Sequence, residues 1–181
     1  SRDDGRVAPM SEEHLVEGEP RPEPTPGDVA TAYHEAGHAV IALALHRPIE
    51  RVSIEPNQVR LGHCTLRKGV HGPLKDSVET EVLILLGGPG AEARHTGDYD
   101  WDAGSEDMRT VRKLLGMRPG SDRQLKRTER RLLDKAEHLL DQPGAWPAVE
   151  RIAAELLRSR TVSGRGVRHI YEQAIRQSRK G

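Results

Sequence analysis

Thr31-Ala32-Tyr33-His34-Glu35-Ala36-Gly37-His38-Ala39-Val40 carries the pattern H-E-x-x-H, and the fold is read outward from it. On an α-helix each residue turns about 100°, so His34 and His38 project from nearly one face, roughly 6 Å apart along the axis. That spacing lets two imidazole nitrogens converge on one zinc ion at about 2.0–2.1 Å each. Glu35, next to the first ligand, faces a metal-bound water and is the candidate general base. Zinc makes such a water acidic enough to supply hydroxide near neutral pH.

The pattern also arises by chance, and a chain with nine histidines gives chance more room. The flanks argue otherwise. Val29, Ala32, Tyr33, Ala36, Val40, Leu43 and Ala44 form an apolar stripe of helical period, so the motif helix packs into a core. Gly37 costs up to about 1 kcal/mol inside a helix relative to alanine, and a close approach to another backbone or a ligand would account for it.

Composition narrows the class. The 181 residues hold 28 Lys plus Arg against 28 Asp plus Glu, so no global field steers the chain to nucleic acid or an anionic membrane. One cysteine, Cys64, excludes an intramolecular disulfide and fits a reducing, cytoplasmic setting. The longest apolar run, Val82–Leu86, is far too short to span a bilayer. Phenylalanine is absent, so the core must be built from Leu, Val, Ile and Ala.

Residues 1–27 are charged and proline-rich with no apolar period, and read as a disordered linker cut from something longer. Residues 28–177 read as the folded domain and 178–181 as a charged tail. Asp28 is taken as N-cap of a motif helix reaching about Leu45, closed off by Pro48. Ile49–Ile54 and part of Val59–Leu66 alternate apolar and polar around Pro56-Asn57, which predicts a small β-hairpin or meander. A helix is expected from Lys75 to Leu86, stopped by Gly87-Gly88, with a short helical turn at Ala91–Ala93. Residues 95–104 read as an acidic loop. Further helices are expected from Ser105 to Leu115, from a Ser121/Gln124 capping box to about Leu140, from Pro147 to about Arg158, and from Val167 to Arg176. The fold class is therefore mainly α (α+β), a helical domain with a small hairpin after the motif helix.

A catalytic zinc needs a third protein ligand and one position left to water. Spacing leaves that ligand open among His14, His46, His63, His71, His95, His138 and His169, and among Asp98, Asp100, Asp102, Glu106 and Asp107. Tyr33, His63 and His95 are candidates to hydrogen-bond a developing oxyanion, although a structural role suits each of them better.

Thr31–Val40 resembles the zinc motif of the FtsH family of metalloproteases, whose usual form is A-Y-H-E-A-G-H-A. Further similar pieces follow in the same order: Val52–Pro56 with Leu61-Gly62, Leu86–Glu92, Ala103–Met108 and Leu157–Gly164. The resemblance implies that His34, His38 and Asp107 hold Zn2+ and that Glu35 is the base. It implies a zinc-dependent endopeptidase acting on peptides or unfolded protein segments. The family couples this domain to an ATP-driven unfoldase and membrane helices. The chain has no G-x-x-x-x-G-K-[ST] phosphate loop and no spanning segment, Pro89 and Gly90 depart from the family's glycine-rich piece, and Glu106 replaces an Asn. Expected partners are a peptide or unfolded substrate, with room for a homo-oligomer and for an ATPase partner or upstream domain. The competing reading is a catalytically silent zinc-binding regulatory module with a peptidase-like fold. The arginine-rich run Arg123–Arg131 is interleaved with acid at helical period and reads as a solvated helix face rather than a nucleic-acid site.

Overall fold

The structure is a computed structural model, described for residues 20–56, 77–98 and 106–181 and, for the backbone, 63–66. The linker residues 1–19, Val59–Gly62, Lys75-Asp76 and Tyr99–Ser105, with His14, His71, Asp100 and Asp102, lie outside the described residues.

The motif helix α1 spans Pro26–Ala44. Its N-cap is Thr25, not Asp28: the Thr25 hydroxyl accepts from the Asp28 amide, and the Asp28 carboxylate accepts from the Thr25 amide. Asp28 is thus the third helical residue of a reciprocal capping box, and Pro26 takes the first helical position, where its missing N–H costs nothing. Ala32, Ala36, Ala39, Val40 and Ile41 are fully buried on this helix.

The strand β1 (Ile49–Ser53) follows, paired antiparallel with β2 (His63–Leu66), as the alternation predicts. A third strand, β3 (Thr161–Ser163), pairs antiparallel on the other side of β1, with Val52 opposite both Cys64 and Val162. Three residues are too few to show a period of two, so β3 was not legible in the chain.

The largest correction concerns α2, which runs from Ser77 through Thr96 without stopping at Gly87-Gly88. Those glycines keep helical backbone. The left-handed residue that ends the helix is Gly97, at φ 79°, whose amide bonds back to the Ala93 carbonyl at 2.7 Å. Gly87 and Gly37 instead let α1 and α2 touch backbone to backbone. A Cβ on Gly37 would stand 2.1 Å from the Gly87 carbonyl oxygen, and one on Gly87 would stand 2.8 Å from that of Gly37. Pro89 withdraws one donor from the middle of the helix, and burial on both flanks carries the helix past it.

The remaining helices are α3 (Glu106–Gly116), α4 (Asp122–Leu140), α5 (Ala145–Ser159) and α6 (Gly164–Ser178). The Ser121/Gln124 capping box is present as expected. Helix α5 begins two residues before Pro147, behind the left-handed Gly144, and α6 begins at Gly164, directly after its N-cap Ser163, rather than at Val167. The core joins α1, α2, α4 and α5 around Ile41, Leu83, Leu86, Leu132, Leu140, Ile152 and Leu156. The domain is mainly α with a small β part. Among the described residues no helix is long and apolar enough to cross a membrane.

Candidate metal centre

Three elements build the site: α1 carries His34, Glu35 and His38, α2 lies across them, and α3 brings Asp107 in its first turn. The side-chain donor atoms of His34, Glu35 and His38 lie within 4.8 Å of one another, a group able to hold a metal ion. The two imidazoles meet edge to face, with ring centroids 4.7 Å apart. Asp107 Oδ2 stands 2.7 Å from His34 Nε2 and 3.1 Å from His38 Nε2. Ligands on a tetrahedral zinc with bonds of 2.0–2.1 Å are about 3.3 Å apart, so these three atoms need to spread by only about half an ångström to accept one.

The far sides of both rings are already committed. His38 Nδ1 lies 2.7 Å from the Ile84 carbonyl oxygen, to which it donates, and this turns Nε2 toward Asp107. His34 Nδ1 lies 2.7 Å from the Glu92 carboxylate. A carboxylate or carbonyl behind each histidine fixes its tautomer and raises the basicity of the nitrogen that faces a metal. Both acceptors come from α2, one on either side of its glycines. Gly88 completes the cradle, since a Cβ there would stand 2.4 Å from His38 Nε2 and 2.7 Å from His34 Nε2.

The electrostatics reflect crowding of acids around bases. Burial alone would lower the His34 pKa, but hydrogen bonds to Asp107 and Glu92, together with the charges of Asp107 and Glu35, raise it from 6.5 to about 10. Burial likewise pushes Asp107 up, and its bonds to His34 and His38 outweigh that and hold it well below the usual carboxylate range. Metal-free, the centre is therefore a protonated histidine locked to a carboxylate. Glu35 is 4% exposed and Asp107 7%, so both carboxylates sit where a cation stabilises them.

Of the sequence candidates for a third ligand, Asp107 reaches both histidines. His46 lies exposed in the turn after α1, His138 bonds to Gln142, His169 is exposed, and Asp98 and Glu106 are exposed. Tyr33 and His95 stack on each other at 3.7 Å, with Trp146 beside Tyr33. Glu92, the Ile84 carbonyl and Gly88 are the parts that helical spacing did not reveal. All three act across the α1–α2 seam, which no local period encodes.

A helical domain that brings two histidines and a glutamate together in this way has a group able to hold a metal ion. Sequence comparison points the same way. The chain is 43% identical over 99 residues to an ATP-dependent zinc metalloprotease FtsH of Cupriavidus metallidurans, covering 49% of this chain and 15% of that protein. It is 36% identical over 86 residues to the FtsH of Acidobacterium capsulatum, covering 45% and 13% respectively. It is 32% identical over 89 residues to that of Chlamydia trachomatis serovar L2, covering 47% and 10%. No family model matches the chain. About half of this chain is thus FtsH-like, and it spans less than a fifth of the length of these relatives.

Proposed function

We propose that this chain is a zinc-dependent endopeptidase acting on peptides and unfolded protein segments. The observation that carries the reading is the convergence of His34 Nε2, His38 Nε2 and Asp107 Oδ2, with the opposite ring nitrogens held by Glu92 and Ile84. On this reading His34, His38 and Asp107 are the ligands of a zinc ion. When bound, the ion supplies Lewis acidity to a water and to the scissile carbonyl. Glu35, adjacent to the first ligand, takes the proton of that water and delivers it to the leaving amine. Glu92 and the Ile84 carbonyl fix the orientation of the imidazoles and aim them at the site. Folded substrates would require an unfoldase, supplied elsewhere in the same protein or by a partner ATPase.

Casein-type hydrolysis by the zinc-loaded protein, with and without a chelator, tests the reading. The wild type should cleave and lose activity on chelation, while Glu35→Gln should keep its zinc and cleave nothing. Full activity in Glu35→Gln would refute the base assignment. Zinc binding without cleavage in the wild type would favour the silent regulatory module.

A further inference from the structure

A second cleft, of ≈ 550 Å³, opens at the carboxyl end of α1, where Leu43 and Pro48 face one side of α6. From α6 and its C-cap it takes Arg168, Tyr171, Ile175 and Arg179, residues spaced to share one helix face. The volume is within the range of ligand-binding clefts. It lies more than a helical turn beyond His38 and shares no residue with the metal centre.

Its charge is unbalanced. Arg47, also at the cleft, is already matched by Glu81 at 3.3 Å. Arg168 and Arg179 form no ion pair or side-chain hydrogen bond with any described residue. The one acid in the lining is Glu172, and His46 adds a titratable group at the rim. Two uncommitted guanidiniums thus bracket an apolar floor made by Leu43, Pro48, Tyr171 and Ile175. Eleven helical steps of 1.5 Å separate the backbone positions of Arg168 and Arg179 by about 16 Å along the axis, the length of about five residues of extended chain at 3.3 Å each.

We infer that this cleft docks an extended acidic peptide segment, with an acidic residue near each end and apolar residues between. Arg168 and Arg179 take the carboxylates at the two ends, in the forked geometry that suits guanidinium and carboxylate. Tyr171 and Ile175 receive the apolar middle. Two cations so far apart favour a chain that bridges them over a single small anion, which would engage one end. This inference does not depend on the metal centre or on peptidase activity.

Fluorescence anisotropy of the full chain with a labelled Glu-Leu-Val-Val-Leu-Glu peptide tests it, with Lys-Leu-Val-Val-Leu-Lys, acetate and a short oligonucleotide as comparators. Saturable binding of the acidic peptide should weaken as salt rises and should weaken about fivefold with Arg168→Ala and again with Arg179→Ala. Tyr171→Ala should also weaken it, and zinc content and far-UV circular dichroism should not change in any of these variants. The inference is overturned if the lysine peptide binds equally well, if acetate or the oligonucleotide competes as effectively as the acidic peptide, or if the arginine variants bind like wild type.

Discussion

Gly88 on α2 faces His38 on α1 with no room for a methyl group between them, since a Cβ on the glycine would stand 2.4 Å from both Cε1 and Nε2 of the imidazole. The candidate metal centre is therefore shaped as much by an absent side chain as by its donor atoms. The same seam holds the Gly37–Gly87 contact one residue away on each helix, so α2 passes over α1 closely enough to present Ile84 and Glu92 to the two histidines.

Gly88→Ala and Gly37→Ala should separate site from fold. At Gly88 the clash is with the ends of two imidazoles, which swing aside. The protein should stay folded and lose at least about tenfold in zinc affinity. At Gly37 the clash is with the Gly87 backbone, which has nowhere to go. Alanine gains up to about 1 kcal/mol of helix propensity there, but overpacking of this kind costs about 1–3 kcal/mol or more, so the net effect is a lower melting temperature. Calorimetric zinc titration and thermal melts check both, and an unchanged affinity in Gly88→Ala would contradict the cradle.

Glu92→Ala should weaken zinc binding by about 10–100-fold, the usual consequence of removing the partner behind a metal-ligating histidine. Glu92→Gln should fall between it and wild type, because the amide oxygen still accepts from His34 Nδ1. Competition with a fluorescent chelator measures all three proteins. Equal affinities would show that His34 needs no support.

Zinc uptake should release a proton. In the metal-free protein His34 titrates near 10, so at pH 7 it is charged, and an imidazole can ligate only after deprotonation. Calorimetry in two buffers of different ionisation enthalpy should find about one proton released per zinc near pH 7. Zinc affinity should rise with pH up to about 10, and the absence of buffer dependence would show that His34 is already neutral.

The stability of the metal-free protein should have an optimum in mild acid. The folded pKa of His34 is raised above 6.5, so its contribution is complete below 6.5 and is lost as pH climbs through about 10. The folded pKa of Asp107 is lowered below 3.8, so its contribution is complete above 3.8 and is lost as pH falls below it. Melting temperatures of chelator-treated protein should therefore decline in both directions, and Asp107→Asn should flatten the curve.

Thr25→Ala should destabilise the protein by about 1 kcal/mol, since it removes half of the capping box that starts the helix of His34 and His38. Denaturant melts would show it, and zinc stoichiometry should not change.

Much of this was readable along the chain because it rests on short-range rules. The spacing of His34 and His38, the apolar stripe beneath them and the Ser121/Gln124 box each encode a local period or cap and are found in the fold, and Ile49–Ile54 forms the expected strand, although a register shift between Ile49 and Arg51 breaks its alternation. Glycine is where local reading failed. At Gly87-Gly88 it suggested a helix end, whereas the helix continues and the missing side chains serve contact with α1. A glycine used for backbone freedom and one used for close packing look the same in sequence.

Asp107 shows where local information ends. Its residue type and its place at the start of a helix suited a dipole-favouring acid better than a metal ligand, and only the resemblance favoured the ligand. The packing of α3 against α2 puts its oxygen 2.7 Å from a histidine 73 positions away. Donor chemistry is a property of residues in the chain. Which donors share one small volume, and which carbonyl or carboxylate stands behind them, depends on distances between elements that sequence spacing does not constrain.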